Sequence, residues 1–489
     1  MKSGAVPRRM AAAAREPGAP RPSVLGAAGS PLPDKGLEAD TVRLEDALAA
    51  AGIGAFQRRV WLLCGLAVSA DGVEKAALMY ILQGVSNAWG IHGEALGLLG
   101  SVSGLGQALG AYAFGRYSDA HGRRSALVLA LAMTFVIGGL CAVAPGYVVF
   151  LILRFCVNVA LGGALPCAFT LLAEFLPPRE RPKWIPFLYA MYGVGRLVTA
   201  FVAWAVLEHS WRLYMLLLAL PCGVLLFLKG WIPESPHFLL VQEQPAQARK
   251  VIQEVASANG VTLPFGPCTQ LRCEEEPVRN DSWITVLQTT AAKMLCVMWL
   301  LTALGSEWFN WALKLLKQSG VQSGTAYTGL LLFNTNELVV PLLLALLQRS
   351  SVMERARWTL TTACAAAFLA LLALAACSAA GGGPTLVVAA SVAASYCGIA
   401  VWVVHYTVTP GYFATEVRGT GFGTCMAFNR LGYIVGPLIA AGMVEHNHMA
   451  LLTFCSACYF FLVGCSLCLQ SSPEGAREEG ETTRLAESH

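Results

Sequence analysis

Three ionisable residues stand close together inside an apolar stretch of membrane length. Asp71, Glu74 and Lys75 lie within the run 60–88. A charged side chain at the centre of a membrane span costs at least about 2.5–3.5 kcal/mol on insertion scales, so it needs a partner or a wet cavity. Asp71 and Glu74 share one helix face, and Lys75 follows Asp71 by one helical turn. The trio therefore predicts either a self-neutralising packing contact or a site that handles protons or cations.

Four further ionisable residues lie in later apolar runs, namely Arg196, Glu337, His405 and Arg430. A buried arginine suits the recognition of a carboxylate by two parallel hydrogen bonds. The alternative for Arg430 is a salt bridge to the acidic residues of the trio, since buried charges are normally paired. His405 is either hydrogen-bonded in the packing or a proton carrier. We expect all seven residues to line one cavity for substrate and coupling ion.

A short, strongly charged turn separates two apolar runs at residues 115–124. Gly115 and Gly122 allow the backbone to turn closely. Asp119 can accept hydrogen bonds from Arg123 and Arg124 or begin a helix. The positive-inside rule places such a turn on the cytoplasmic face. It is either a loop that only orients the protein or a charge-paired latch between two helices that slide during transport.

The composition excludes an ordinary soluble protein. Of 489 residues, 56% are hydrophobic and only 13% are charged, whereas a soluble domain carries about 25% charged residues. Several separate runs of roughly 20 apolar residues indicate membrane-spanning helices and not a barrel. The net charge of +4 gives no reason to expect nucleic acid as a partner. No nucleotide-binding, metal-protease or nucleophile motif is present, so the sequence predicts no enzyme activity, no cofactor and no metal.

Twelve spans fit the hydropathy pattern, and a polar stretch divides them into six and six. We expect a tail and an amphipathic helix (44–59) in residues 1–59, then a six-helix bundle in 60–231. A cytoplasmic linker follows at 232–290, a second six-helix bundle at 291–469 and a cytoplasmic tail at 470–489. Two such bundles facing each other bind substrate near the membrane midplane. Arginines concentrate in alternate loops, which puts both termini in the cytoplasm.

Several motifs resemble those of the major facilitator superfamily. The turn 115–124 meets every position of the pattern G-x-x-x-D-x-x-G-R-R, and Glu174 with Arg181 resembles the signature after the fourth span. The resemblance implies that Glu174, Arg181 and Arg418 belong to the same latch as the turn. The stretch 233–240 resembles P-E-S-P-R-x-L-L, and Ala70-Asp71 with Glu74 resembles the first span of the synaptic vesicle protein 2-related branch. The organic ion transporter group of solute carriers is similar too, although its large outer loop is missing here.

The second half departs from the same patterns. The loop 348–355 lacks the expected Asp and Gly, and the stretch 410–418 keeps only Thr415 and Arg418 beside its first proline. The resemblance implies a monomeric secondary active transporter with the major facilitator fold. It would carry a small organic, charged solute across the plasma membrane or a vesicle membrane, coupled to protons or another ion. The incomplete second half leaves an alternative, a transporter-fold protein of the membrane or vesicle that binds a partner without turnover.

Overall fold

The computed structural model describes residues 41–177, 179–265, 269–272, 289–347, 356–413 and 418–469, and these residues are mostly helical. The first half contains β1 (Thr41–Arg43), α1 (Leu44–Ala50), α2 (Ala55–Trp89), α3 (Glu94–His121), α4 (Arg123–Ala142), α5 (Tyr147–Glu174), α6 (Arg181–Val206) and α7 (Trp211–Phe227). The linker contains α8 (Pro236–Val241), α9 (Pro245–Asn259) and β2 (Gln270–Arg272). The second half contains α10 (Thr290–Gly305), α11 (Trp308–Gln318), α12 (Ser323–Asn334), α13 (Asn336–Leu347), α14 (Ala356–Ala379), α15 (Pro384–Val408), α16 (Arg418–His446) and α17 (His448–Cys468).

Nine helical stretches within the described residues are long and apolar enough to cross a membrane. The three remaining predicted spans correspond to α2, α3 and the pair α10–α11. Helix α2 carries the charged trio, α3 is rich in glycine and serine, and α10 and α11 are each too short to cross alone. Each of these three stretches therefore differs from a regular apolar span for a local reason.

Two predicted single spans are each interrupted. The seventh is split into α10 and α11 by Ser306 and Glu307, and the Ser306 hydroxyl donates to the Ala303 carbonyl at 2.9 Å. The eighth is split into α12 and α13 at Thr335. The predicted helix 44–59 was also wrong as one element, because α1 ends at Ala50 and Gly52 takes a left-handed backbone with φ +69° before α2 begins. That conformation favours glycine and stops a right-handed helix.

A small sheet joins the start of the chain to the linker. Strand β1 pairs in parallel with β2, with Val42 opposite Leu271. Asn259, at the end of α9, accepts from the Phe56 amide at 3.1 Å and donates to the Gly52 carbonyl at 2.8 Å. These bonds satisfy backbone groups that would otherwise stay unpaired near the first turn of α2. The linker is thus attached to the first half through β1 and the start of α2.

The two halves pack closely where α3 meets α16. We call the end of the bundle at which α3 ends and α4 begins the latch end, and the end at which α3 begins the far end. A Cβ atom added to Gly97 would lie 2.6 Å from the Pro437 carbonyl oxygen, and one added to Gly104 would lie 2.8 Å from that of Tyr433. Glycine therefore allows the two backbones to touch. This contact runs from the middle of α3 to the far end.

Candidate functional site

A central cavity of about 160 Å³ lies between the two halves. Its lining includes six of the seven predicted cavity residues: Asp71, Glu74, Lys75, Arg196, Glu337 and Arg430. Helices α2 and α6 bring the first four, and α13 and α16 of the other half bring the last two. The structure thus places in one cavity charged residues that are up to 359 positions apart in the chain.

His405 is the exception and is not part of the cavity lining. Its ring is fully buried inside the second half and stacks on Trp299 with ring centroids 5.3 Å apart. Its Nδ1 atom lies 3.1 Å from the Thr302 hydroxyl. The expectation that His405 belongs with the cavity residues is therefore corrected in favour of the packing alternative. Helix α15 is buried on several faces, so His405 can be enclosed by its own half of the protein.

Glu74 does not pair with Lys75 but with an arginine of α5. Arg154 Nη1 donates to Glu74 Oε2 at 2.5 Å, and each side chain is only 2% exposed. The self-neutralising trio proposed from the sequence is therefore not formed. Sequence reasoning missed Arg154 as a cavity residue, although a charge inside an apolar run was the available signal.

Arg196 connects the two halves through a network of hydrogen bonds. Its Nε donates to Asn334 Oδ1 at 3.0 Å, and its Nη1 lies 3.5 Å from Glu337 Oε1. The Asn334 amide donates to the Tyr80 hydroxyl at 3.1 Å, while the Tyr189 hydroxyl donates to Glu337 at 3.4 Å. Asn334 is the last residue of α12, so the break before α13 presents both Asn334 and Glu337 to α6.

Arg430 also reaches across to the first half, though not to an acid. Its Nη1 donates to Gln107 Oε1 at 2.7 Å, and the Gln107 amide donates to Asn158 Oδ1 at 3.2 Å. The salt bridge to Asp71 or Glu74 considered from the sequence is absent from the described residues. A guanidinium group has five N–H donors, so Arg430 keeps donors for a further acceptor.

Asp71 and Lys75 are the cavity charges with the fewest protein partners. Asp71 is 3% exposed, and within the described part of the chain it makes no hydrogen bond and no salt bridge. The Lys75 ammonium lies 5.1 Å from the centroid of the Tyr433 ring, a cation–π contact. Lys75 and Arg430 both act electrostatically on Asp71. The buried Asp71 carboxylate has no hydrogen-bond partner among the described residues and interacts with two cations, so it can bind a ligand that has charged groups of its own.

The predicted latch residues come together at the latch end. Arg123 Nη1 donates to Asp119 Oδ1 at 2.8 Å, and its Nε lies 3.4 Å from Glu174 Oε1. The Arg124 amide donates to Glu234 Oε1 at 3.2 Å. Gly122, with φ +97°, lies against the Glu234 carboxylate, which leaves no room for a side chain. The turn is therefore attached both to α5 and to the segment before α8.

The remaining latch residues have different surroundings. Arg181 Nε donates to the Ala173 and Leu176 carbonyl oxygens at 3.1 Å each, so it caps the end of α5. Its Nη2 lies 3.4 Å from Glu45 Oε1 of α1. A side chain at Gly115 would meet open space. The loop 348–355 and the side chain of Arg418 lie outside the described residues.

Comparison with known proteins agrees with this architecture. The Major Facilitator Superfamily family model matches residues 62–380. "Organic cation/carnitine transporter 7" of Arabidopsis thaliana is 25% identical over 476 residues, covering 87% of this chain and 93% of its own length. "Synaptic vesicle 2-related protein" of Xenopus laevis is 27% identical, covering 90% and 83%. The crystal structure of a D-xylose–proton symporter superposes with a TM-score of 0.70 at 14% identity, covering 86% and 99%.

Proposed function

This chain belongs to the Major Facilitator Superfamily, and we propose that it is a secondary active transporter of a small, charged organic solute that works by alternating access. Membership of the family and its fold are confirmed, and the chain is a multi-pass membrane protein and not an enzyme. The identity of the solute, its charge and its coupling ion belong to the proposal. So do a monomeric transport unit and the division into bundles at 60–231 and 291–469.

The observation that carries the proposal is a cavity whose charges come from both halves. In two ion pairs of the cavity, Glu74–Arg154 and Arg196–Glu337, each charge is neutralised by its protein partner. The residues left to a ligand are Asp71, Lys75 and Arg430. Two cations and one carboxylate favour a solute that bears a carboxylate, and Asp71 can accept a cationic group on the same molecule. A zwitterion such as carnitine meets both requirements, and the name of the Arabidopsis relative includes carnitine.

The same cavity bears on the alternative of a binding partner without turnover. A closely packed centre would favour that alternative, because there would be no place for a solute. A polar cavity that contacts Asp71 and Arg430 favours transport instead. The arginine-rich alternate loops support cytoplasmic termini, and the vesicle-related name of the Xenopus relative supports a vesicle membrane.

The test is uptake into proteoliposomes that contain the purified full-length chain. The probes are carnitine, benzoate and tetraethylammonium, each with and without a proton gradient. We expect carnitine or benzoate to enter, and Asp71→Asn combined with Arg430→Ala to reduce the rate at least tenfold. Glu254→Gln, on the exposed face of α9, is the control and should transport normally. Absence of flux for all three probes, or flux unchanged by the double substitution, would contradict the proposal.

A further inference from the structure

A buried carboxyl group lies at the interruption between α10 and α11. Glu307 is 1% exposed and immediately precedes Trp308, the first residue of α11. Its Oε2 accepts a hydrogen bond from the Asn310 amide at 3.2 Å. Its Oε1 is buried and has no hydrogen-bond partner among the described residues. In the sequence, Glu307 stands beside Trp308, Phe309 and Trp311.

The surroundings of Glu307 offer no compensating charge. Within the described ranges, no lysine, arginine or histidine nitrogen lies within 4.0 Å of its carboxylate. Helix α16 packs against it through Gly436, where an added Cβ would lie 2.7 Å from Glu307 Cγ. Tyr433 of α16 and Cys455 of α17 are titratable groups that interact electrostatically with it. Both of these groups are neutral near pH 7 in their ordinary state.

An ionised Glu307 would therefore be a buried charge with one orphaned oxygen and no counter-ion. Burial of an unpaired carboxylate is costly enough that such a group takes up a proton instead. In this conformation, the surroundings of Glu307 therefore favour the protonated carboxylic acid over the carboxylate. The Asn310 amide donates one hydrogen bond to the carboxyl group, which by itself favours the ionised form, but a neutral amide does not replace the missing positive charge.

Glu307 lies between residues that line the central cavity and residues that form the far-end contact. Its neighbours Ser306 and Asn310 both line the central cavity. On the other side, Gly436 precedes Pro437, which is the residue that contacts Gly100 of α3. Separation of α3 from α16 would therefore change the packing one residue from Gly436, the residue that covers Glu307. Interrupted helices are a recurrent place for coupling ions in transporters.

We propose that Glu307 is a proton-binding site, occupied when α3 and α16 are in contact and emptied towards the far end when they separate. The ligand is one proton, and the step is protonation and deprotonation of one carboxyl oxygen. As a coupling site, this assignment rests on the proposed transport function. As a buried, protonated acid, it is independent of that function.

The first test is infrared difference spectroscopy of the full-length chain in lipid bilayers, recorded as the pH is raised from 6 to 10. We expect a C=O stretching band of a protonated carboxylic acid that is lost on deprotonation. The band should be missing in Glu307→Gln and retained in Asp71→Asn. Glu208→Gln, an exposed carboxylate just after α6, is the matched control and should also retain the band. No protonated-acid band in the wild type, or an unchanged band in Glu307→Gln, would overturn the proposal.

The second test separates coupling from structural damage. For the probe that the wild type transports, Glu307→Gln should reduce the accumulation driven by a proton gradient at least tenfold. It should keep exchange of labelled for unlabelled probe at equal pH, because glutamine imitates the protonated acid. Equal loss of both activities, or accumulation that follows a sodium gradient instead, would refute the coupling role. A band assigned to Glu307 without flux of any probe would refute transport and leave the proton site in place.

Discussion

The buried Glu74–Arg154 pair allows the energetics of the cavity to be tested without knowing the solute. We expect Arg154→Met alone, or Glu74→Leu alone, to lower the free energy of unfolding by about 3–5 kcal/mol. The combined substitution should lie much closer to the wild type. Removal of one partner leaves a buried charge uncompensated, whereas removal of both leaves an apolar contact between α2 and α5.

The magnitude follows from the geometry of the pair. The two atoms are 2.5 Å apart and both side chains are 2% exposed. At an effective dielectric constant of about 20, Coulomb attraction at this separation is about 6–7 kcal/mol, and desolvation of the two ions offsets much of it. Glu74 Oε1 and Arg154 Nε have no hydrogen-bond partner among the described residues, so the pair is incompletely satisfied. That is a reason to expect the double substitution to be tolerated.

The assay is reversible unfolding of the purified chain in mixed micelles, analysed as a double-mutant cycle. We expect a coupling energy of at least about 2 kcal/mol between the two positions. The conservative Glu74→Gln substitution should lower the free energy of unfolding as much as the other single substitutions do, because it removes the negative charge and leaves Arg154 unpaired. The reasoning fails if the two single effects simply add in the double variant, or if both lie within about 1 kcal/mol of the wild type.

Two other predictions concern conformational change. Asp119→Asn should slow transport at least tenfold while changing the free energy of unfolding by less than about 0.5 kcal/mol, since the bond of Asp119 to Arg123 is exposed. The control, Arg355→Gln in the loop outside the described residues, should leave the transport rate unchanged. Equal effects of the two substitutions on the rate would show that the first-half latch has no special role. Gly100→Val should prevent closure at the far end, because an added Cβ lies 2.6 Å from Pro437 Cβ. In a cysteine-depleted background, Gly100→Val should raise the labelling of Ser103→Cys by a thiol reagent added at the far end at least fivefold. Gly442→Val should not raise it, because a Cβ atom at Gly442 would meet open space.

Hydropathy predicted where most helices lie, because a span needs a continuous apolar run whatever its neighbours are. The buried charges were identified for the same reason, since an ionisable residue inside such a run is conspicuous. Their partners were not predictable, because Arg430 and Gln107 are 323 residues apart and meet only when the two halves assemble. The location of His405 could not be predicted either, because a helix enclosed on several sides has no single apolar stripe that marks its cavity face.

The helix interruptions and the small sheet show a second kind of limit. The breaks at Glu307 and Thr335 lie inside stretches whose average hydropathy predicts one uninterrupted span. Strands β1 and β2 are three residues each, too short to produce an alternating pattern. Their pairing depends on more than 200 intervening residues that bring them together. Local sequence carries little information about either feature, yet the first interruption holds the candidate proton site.

The distribution of the cavity contacts indicates which of them must change if the halves move as bodies. Glu74 and Arg154 belong to the same half, so relative motion leaves their pair intact. Arg196–Glu337 and Arg430–Gln107 each join one half to the other. Rocking of one bundle against the other would lengthen or break these two contacts, and a bound solute could replace them. Substitutions at Glu337 or Gln107 are therefore expected to shift the balance between conformations, whereas those at Glu74 or Arg154 are expected to destabilise the first half itself.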